Sequence, residues 1–257
     1  MANNVYANQV LEAKAKDLLL TAINAKNFMT IDSELAQNAG MKKVINVYTY
    51  SGEAEELGVG EGNGNRGSIS YVPSEYEVKM VQQAFDYFDE DFMKDNTIVD
   101  NMLKGANQVM INKMTSDFVE ELQKATLKVT NASFGYDIIV DGISELNLED
   151  EKDVFIVIPN TWKKDLRKDA DYKAARQGEV VYSGQVGAIA GIPVIATKAL
   201  TDAAFVMTRE AVKLFMKKDV EVEQDRDADK RKNSVYLRES YVCALVDATK
   251  ICKIAKA

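Results

Sequence analysis

The chain has 257 residues, 46% hydrophobic and 28% charged, with a formal net charge of −8, a balance that suits an ordinary globular protein able to bury one large core or two intertwined ones. No apolar run approaches the ~20 residues of a membrane helix, and Met1 to Leu20 lacks the basic-then-apolar pattern of a secretion signal, so the expected product folds and stays in a cytosol with no membrane partner. Histidine is absent, which excludes Ser-His-Asp and Cys-His nucleophile systems and any His-ligated metal site.

The first forty residues read as an extended arm carrying one short helix. Val10, Leu11, Leu18, Leu19 and Ile23 give it an imperfect apolar face, with Lys14, Lys16 and Lys26 on the other sides. A surface helix and an arm packed on neighbouring subunits fit this pattern equally well. From Met41 the pattern becomes alternation: Val44, Tyr48 and Tyr50 lead into Gly52, and a second alternating stretch runs from Ser68 through Met80. Between them, positions 52–67 hold six of the fourteen glycines together with Glu53, Glu55, Glu56 and Glu61. The economical reading is two antiparallel strands joined by a long flexible tip. An isolated ribbon is marginal in water, so this one needs a surface to lie on.

That tip contains GNGNRG, Gly62 to Gly67, which matches the G-x-G-x-x-G pattern of dinucleotide sites. Such a site needs its glycines to open a helix, whose N-terminus holds the pyrophosphate. The next residues, SISYVPSEYEV, alternate like a strand and include Pro73. A loop tip is therefore preferred over a nucleotide-binding enzyme, and no cofactor is expected. The acidic cluster Asp86, Asp89, Glu90, Asp91 and Asp95 is interleaved with Phe85, Tyr87, Phe88 and Phe92. It lacks the spacing of a helix-loop-helix calcium site and reads as a packed segment with a solvated acidic edge.

Asn96 or Thr97 can cap a helix reaching about Thr126, with Ile98, Met102, Ala106, Val109, Met110, Met114, Phe118 and Leu122 repeating at three and four. At ~28 residues it would measure ~42 Å, long enough to be either the spine of a flat molecule or the core helix of a compact one. An α/β unit follows: a short helix from Tyr136 to Leu146, a buried strand DVFIVI, the amphipathic helix TWKKDLRK with Trp162 as a packing residue, and GAIAGIPVIAT, a strand broken by Gly191 and Pro193. Beyond Ala204, alternating stretches dominate. The charged run containing Asp225, Arg226, Asp227, Lys230, Arg231 and Lys232 reads as a solvated hairpin tip between two of them. Cys243 and Cys252 fall in these stretches and read as buried free thiols. The final strands must return to the spine helix, which makes one domain discontinuous. The acidic balance argues against a protein whose main work is gripping nucleic acid. Lys14, Lys16, Lys26, Lys104 and Lys113 mostly form a solvated face, with weak contact to DNA phosphates as their functional reading.

The order of these pieces resembles the tailed-bacteriophage major capsid proteins of the Hong Kong 97 type. The resemblance runs from about Val44 to the end and is carried by DVFIVIPNTWKKDLRK, by VYSGQVGAIAGIPVIATKAL with its Gly187-x-x-x-Gly191-x-Pro193-Val194 turn, and by the strand pair around Asp225 to Lys232. It implies an α+β, Hong Kong 97-like capsid fold: an N-terminal arm (1–43), an extended β-hairpin loop (44–75), a discontinuous peripheral domain with the spine helix (76–134 and 201–257), and an α/β axial domain (135–200). It implies a non-enzymatic subunit that assembles with itself into pentamers and hexamers of an icosahedral head. Further partners implied are a portal protein, packaged double-stranded DNA and, since the arm starts almost at Met1, either a separate scaffolding protein or none. The expected place is the virion, assembled in the host bacterial cytoplasm. Glu53, Glu55, Glu56, Gly62, Gly64 and Arg66 would lie in the inter-subunit loop. That loop has no lysine, and Asn233 is the one asparagine after Asn160, so the lysine–asparagine crosslinks of some relatives are not expected. An encapsulin-type nanocompartment shell, which shares the fold, is the alternative.

Overall fold

A computed structural model describes residues 8–21, 25–37, 39–151, 153–175 and 187–256. In chain order its elements are α1 (Asn8–Thr21), β1 (Thr30–Asp32), α2 (Glu34–Gln37), β2 (Lys42–Ser51), β3 (Ser68–Glu77), β4 (Lys79–Phe88), α3 (Asp89–Lys94) and α4 (Ile98–Leu122), then β5 (Leu127–Asn131), α5 (Tyr136–Glu145), β6 (Val154–Pro159), α6 (Lys163–Lys168) and α7 (Ala170–Ala175). The last third is almost all strand: β7 (Ala188–Ile189), β8 (Ile192–Thr197), β9 (Ala203–Thr208), β10 (Val212–Asp227), β11 (Lys232–Leu245) and β12 (Ile251–Lys256). They form a four-stranded sheet in the order β1-β10-β11-β4, a six-stranded sheet in the order β5-β12-β9-β6-β8-β7, and the separate ribbon β2-β3.

Helix α4 has 25 residues, about 37 Å at 1.5 Å per residue. It stops at Leu122 rather than near Thr126, because the chain turns there and enters β5. Its start is fixed by Asp95, whose carboxylate accepts from the Thr97 amide at 2.8 Å and hydroxyl at 2.7 Å. The first half buries Val99, Leu103, Ala106 and Ile111 against Val220, Val222, Val235 and Leu237 of the four-stranded sheet. The second half buries Met114, Phe118 and Leu122 against Phe155, Val157 and Phe205 of the six-stranded sheet. Of the anticipated stripe, Val109 is left 49% exposed.

The opposite face of the six-stranded sheet is covered by α5, α6 and α7. Ile138 and Ile139 pack with Val154, Ile156, Ile158, Val206 and Ile254. Being sandwiched explains the uninterrupted apolar run in β6: even-numbered positions face α5, odd-numbered ones face α4, and all six residues are buried. Trp162 packs on Phe134 with ring centroids 4.7 Å apart. The sheet takes β5 from before residue 135, β6 to β8 from 135–200, and β9 and β12 from after it. The anticipated boundary between peripheral and axial domains thus runs through a shared sheet.

GAIAGIPVIAT is a two-residue hairpin, not one broken strand: Ala188 pairs with Pro193 and Ile189 with Ile192, and Ala190 and Gly191 both take positive φ (49° and 83°), the turn that matches strand twist. VKLFM and VEVE belong to one 16-residue strand, β10, which starts just after Ala211. The polar residues between them are absorbed by register shifts at Met216/Lys218 and Lys218/Glu221, while Lys217 donates to the Leu35 carbonyl at 2.9 Å. In α1 the inward positions are Leu11 and Ala15, and Val10 faces out; the side chains of Leu18 and Leu19, and all of Ile23, lie outside the described residues.

Asp169 holds two helix starts together. Its Oδ2 accepts from the Tyr136 amide at 2.9 Å, opening α5, and its Oδ1 accepts from Asp171 at 2.9 Å and Tyr172 at 3.2 Å, opening α7. The approach requires Gly135, where a Cβ would stand 2.2 Å from Oδ2. Burial pushes the carboxyl up, but the amides of Tyr136, Tyr172 and Asp171 outweigh it and hold it below the usual range. Asp169→Ala is expected to cost about 2 kcal/mol, at about 1 per lost cap, measured by urea unfolding. A depressed folded pKa stabilises above the unfolded value near ~4 and loses its effect in more acid solution, so the difference between the two proteins should shrink below pH ~4.

Candidate assembly surfaces

In the ribbon, Val47 pairs with Val72, Tyr48 with Tyr71, Thr49 with Ser70 and Tyr50 with Ile69. Side chains alternate across a strand, so Val44, Tyr48 and Tyr50 share a face with Tyr71 and Ile69, while Thr49, Ser51, Ser68 and Ser70 share the other. The apolar face is open, with Tyr48, Tyr50, Ile69 and Tyr71 between 61% and 67% exposed. The Tyr48 and Tyr71 rings meet at a tilt of 46°, centroids 5.9 Å apart, and among the described residues both stay more than 60% exposed. Contiguous apolar surface of this kind marks an interaction site. The residues singled out from sequence lie beyond this face, at the tip.

The tip is held by its own acids. Glu55 accepts from the amides of Gly64 (2.9 Å) and Asn65 (3.2 Å), and Glu61 from that of Gly58 (3.1 Å). Glu53, Glu56, Gly62 and Arg66 are exposed, and Glu53, Glu56 and Arg66 make no ion pair among the described residues. At the neck the two strands nearly touch: a Cβ on Gly52 would lie 2.7 Å from the Gly67 Cα. Strand β3 begins at Ser68, so no helix follows GNGNRG and the motif lacks the N-terminus a pyrophosphate needs.

The charged hairpin is not simply solvated. Its turn is 228–231, while Asp225, Arg226, Asp227 and Lys232 belong to the paired strands, opposite Ser234, Asn233 and each other. Asp227 accepts from the amides of Asp229 and Lys230 at 3.1 and 3.2 Å, shaping the turn. The basic residues meet the acidic cluster of β4 and α3: Lys232 with Asp86 (2.7 Å), Arg226 with Asp89 (2.8 Å) and Arg231 with Glu90 (2.8 Å). Hydrogen bonds from Lys232 and Ser234 hold the Asp86 carboxyl below its ordinary range. Two features that looked separate are one ion-paired corner, and no group of residues suited to a metal occurs among those described.

Of the five lysines expected to face DNA, Lys14 and Lys104 line one shallow depression with Asp17 and Asp100, and four of the five have carboxylate partners within the chain. Lys14 pairs with Asp100 (2.8 Å), Lys16 with Glu12 (2.9 Å) and Lys113 with Asp117 (2.6 Å); Lys104 is exposed. Lys26 turns inward, 17% exposed, to meet Glu239 at 2.8 Å. Glu239 is 1% exposed and sits on the β11 face that also carries Val235, Leu237, Tyr241 and Cys243. Nearby, buried Asp117 accepts from the Tyr241 hydroxyl at 2.9 Å. Cys243 and Cys252 are both buried and free. Burial pushes the Cys243 thiol up and that of Cys252 to about 11. Since the thiolate is the reactive form, neither should react with iodoacetamide at pH 7.5 in the native protein, and both should after unfolding, as read by mass spectrometry.

A cleft of about 670 Å³ lies between α4 and the segment 195–199, lined by Phe28, Ile111, Thr115, Val119, Ile195 and Lys198 among others, with no carboxylate or thiol. No described helix is long and apolar enough to cross a membrane.

No family model matches the sequence. The chain is 23% identical over 260 residues to the major capsid protein of Staphylococcus phage phiMR11, covering 97% of this chain and 94% of that one. Among solved structures it superimposes on the capsid of the cyanophage P-SCSP1u with a TM-score of 0.70 at 11% identity, covering 100% of this chain and 92% of the other. It superimposes on a virus-like particle from Pyrococcus furiosus with a TM-score of 0.67 at 10% identity, covering 96% and 98%.

Proposed function

From the Hong Kong 97-like capsid fold that this chain has, we propose that it is the major capsid subunit of a tailed bacteriophage. Its work is mechanical, the assembly of pentamers and hexamers into a shell around double-stranded DNA. The observation that carries this reading is the β2–β3 ribbon: ten paired residues per strand with an aromatic face that its own chain leaves open. Laid over an adjacent subunit, that face is covered, and the Gly-rich tip lets one sequence fit slightly different neighbours. The unlike ends of each subunit then pair repeatedly until a ring closes.

The division of labour follows. The arm (1–43) is tied to the body through Lys26 and Glu239, the ribbon and tip (44–75) reach a neighbour, and the ion-paired hairpin corner stiffens the outer end of the peripheral part. A portal protein, a scaffolding protein and the packaged genome are the partners this reading implies, with assembly in the host bacterial cytoplasm and residence in the virion. Because the tip has no lysine, a crosslink that starts from a lysine of the loop is not part of this reading. The likeness to the Pyrococcus furiosus particle supports a second reading, a nanocompartment shell; the curated likeness to a phage protein favours the first.

Negative-stain electron microscopy of the purified chain, across concentration and salt and with its neighbouring head genes co-expressed, tests the proposal. Closed shells or rings of five and six are expected. A monomer under all of these conditions sinks it, and shells that enclose an enzyme instead of taking up DNA favour the second reading.

A further inference from the structure

Strand β6 is a polar axis through the six-stranded sheet. Its six buried residues span about 20 Å at ~3.3 Å each, and charge of opposite sign gathers at the two ends. Immediately before it, residues 149–153 read EDEKD, a net charge of −3, with Glu149, Asp150, Glu151 and Asp153 exposed. Immediately after it, residues 160–168 read NTWKKDLRK, a net charge of +3. Asn160, Thr161, Lys163, Lys164, Arg167 and Lys168 line one shallow depression there.

The basic end is built rather than incidental. Trp162 and Leu166 are buried, 7% and 1% exposed, so the backbone of the short helix α6 is pinned to the core and its cations project from one fixed patch. The single acid among them, Asp165, is already met by Lys256 of β12 at 2.6 Å, and the same Lys256 lies 4.5 Å from the Trp162 ring. Lys163, Lys164 and Lys168 make no ion pair among the described residues, and neither do Glu149, Glu151 and Asp153. Within one chain the two groups cannot meet, because β6 holds them apart.

We propose that the basic depression around Lys163, Lys164 and Lys168 receives the acidic side chains Glu149, Glu151 and Asp153 of a second copy of this chain. This contact rests on the self-assembly reading above and gives it a chemistry. Two unlike, complementary patches at opposite ends of one strand make a head-to-tail contact, the kind that generates rings. A charge-paired interface also sets register and rejects a flipped neighbour, whose like charges would face each other.

The test is charge reversal with wild-type assembly as its reference. Lys163→Glu/Lys164→Glu/Lys168→Glu should stay folded by circular dichroism yet need at least about tenfold more protein to form rings or shells. Glu149→Lys/Glu151→Lys/Asp153→Lys should show the same defect, and all six changes in one chain should restore closed shells. Mixing the two triple variants should restore even-membered rings only, because subunits must then alternate: six-fold rings return and five-fold ones do not. Normal assembly of either triple variant overturns the contact while leaving the capsid reading standing. Normal assembly with loss of binding to a short DNA duplex reassigns the depression to phosphate and overturns it equally. Absence of any wild-type assembly removes the capsid reading and the contact with it.

Discussion

Lys26→Met should cost about 3 kcal/mol of folding stability, the scale on which a buried ion pair suffers when one partner goes. The reason is the position of Glu239. It is 1% exposed in the middle of an apolar strand face, and Lys26 is its ion-pair partner, 213 positions away. Its second oxygen accepts no hydrogen bond among the described residues. Burial pushes the Glu239 carboxyl up, against the pull of Lys26. A raised folded pKa stabilises below the unfolded value near ~4.3 and loses that contribution as pH rises through the folded one. The deficit of the variant should therefore be small in acid and widen toward neutral pH, as followed by urea unfolding at several pH values. Adding Glu239→Gln should recover most of the loss. An equal deficit at all pH values, or no recovery, would show that Lys26 acts by packing instead.

Tyr48→Ser/Tyr50→Ser/Tyr71→Ser should leave the isolated subunit within about 0.5 kcal/mol of wild type, since exposed side chains away from caps and cores contribute little. The same change should raise the protein concentration needed for assembly by on the order of a hundredfold, the equivalent of ~2.7 kcal/mol lost per contact. Light scattering across a concentration series reads this directly. Unchanged assembly would mean the aromatic face is not an interface, and an equal loss of subunit stability would mean it packs within its own chain.

How much of this was legible in the sequence depends on the range of each interaction. The ribbon was legible because alternation and clustered glycine are local signals, and β6 because an unbroken apolar hexapeptide needs cover on both faces. The aromatic face was missed: alternation marks Tyr48 and Tyr50, but only the pairing offset brings Ile69 and Tyr71 beside them. The hairpin run read as solvated because its partners, Asp86, Asp89 and Glu90, lie about 140 positions earlier. The same blindness hid the partners of Lys14, Lys16, Lys26 and Lys113, since a cation in a sequence carries no sign of the carboxylate that meets it. Charge at the two ends of β6 was visible residue by residue and gained meaning once the strand set the distance between them.

Helix α4 lends its first half to one core and its second half to another. A single rod threaded through both cores lets neither yield alone, so a load applied at one end is conveyed to the other as if through a beam. The neck where Gly52 meets Gly67 belongs to neither core, so it takes no share of that stiffness. A container built from such plates would flex at its straps while the panels stay stiff.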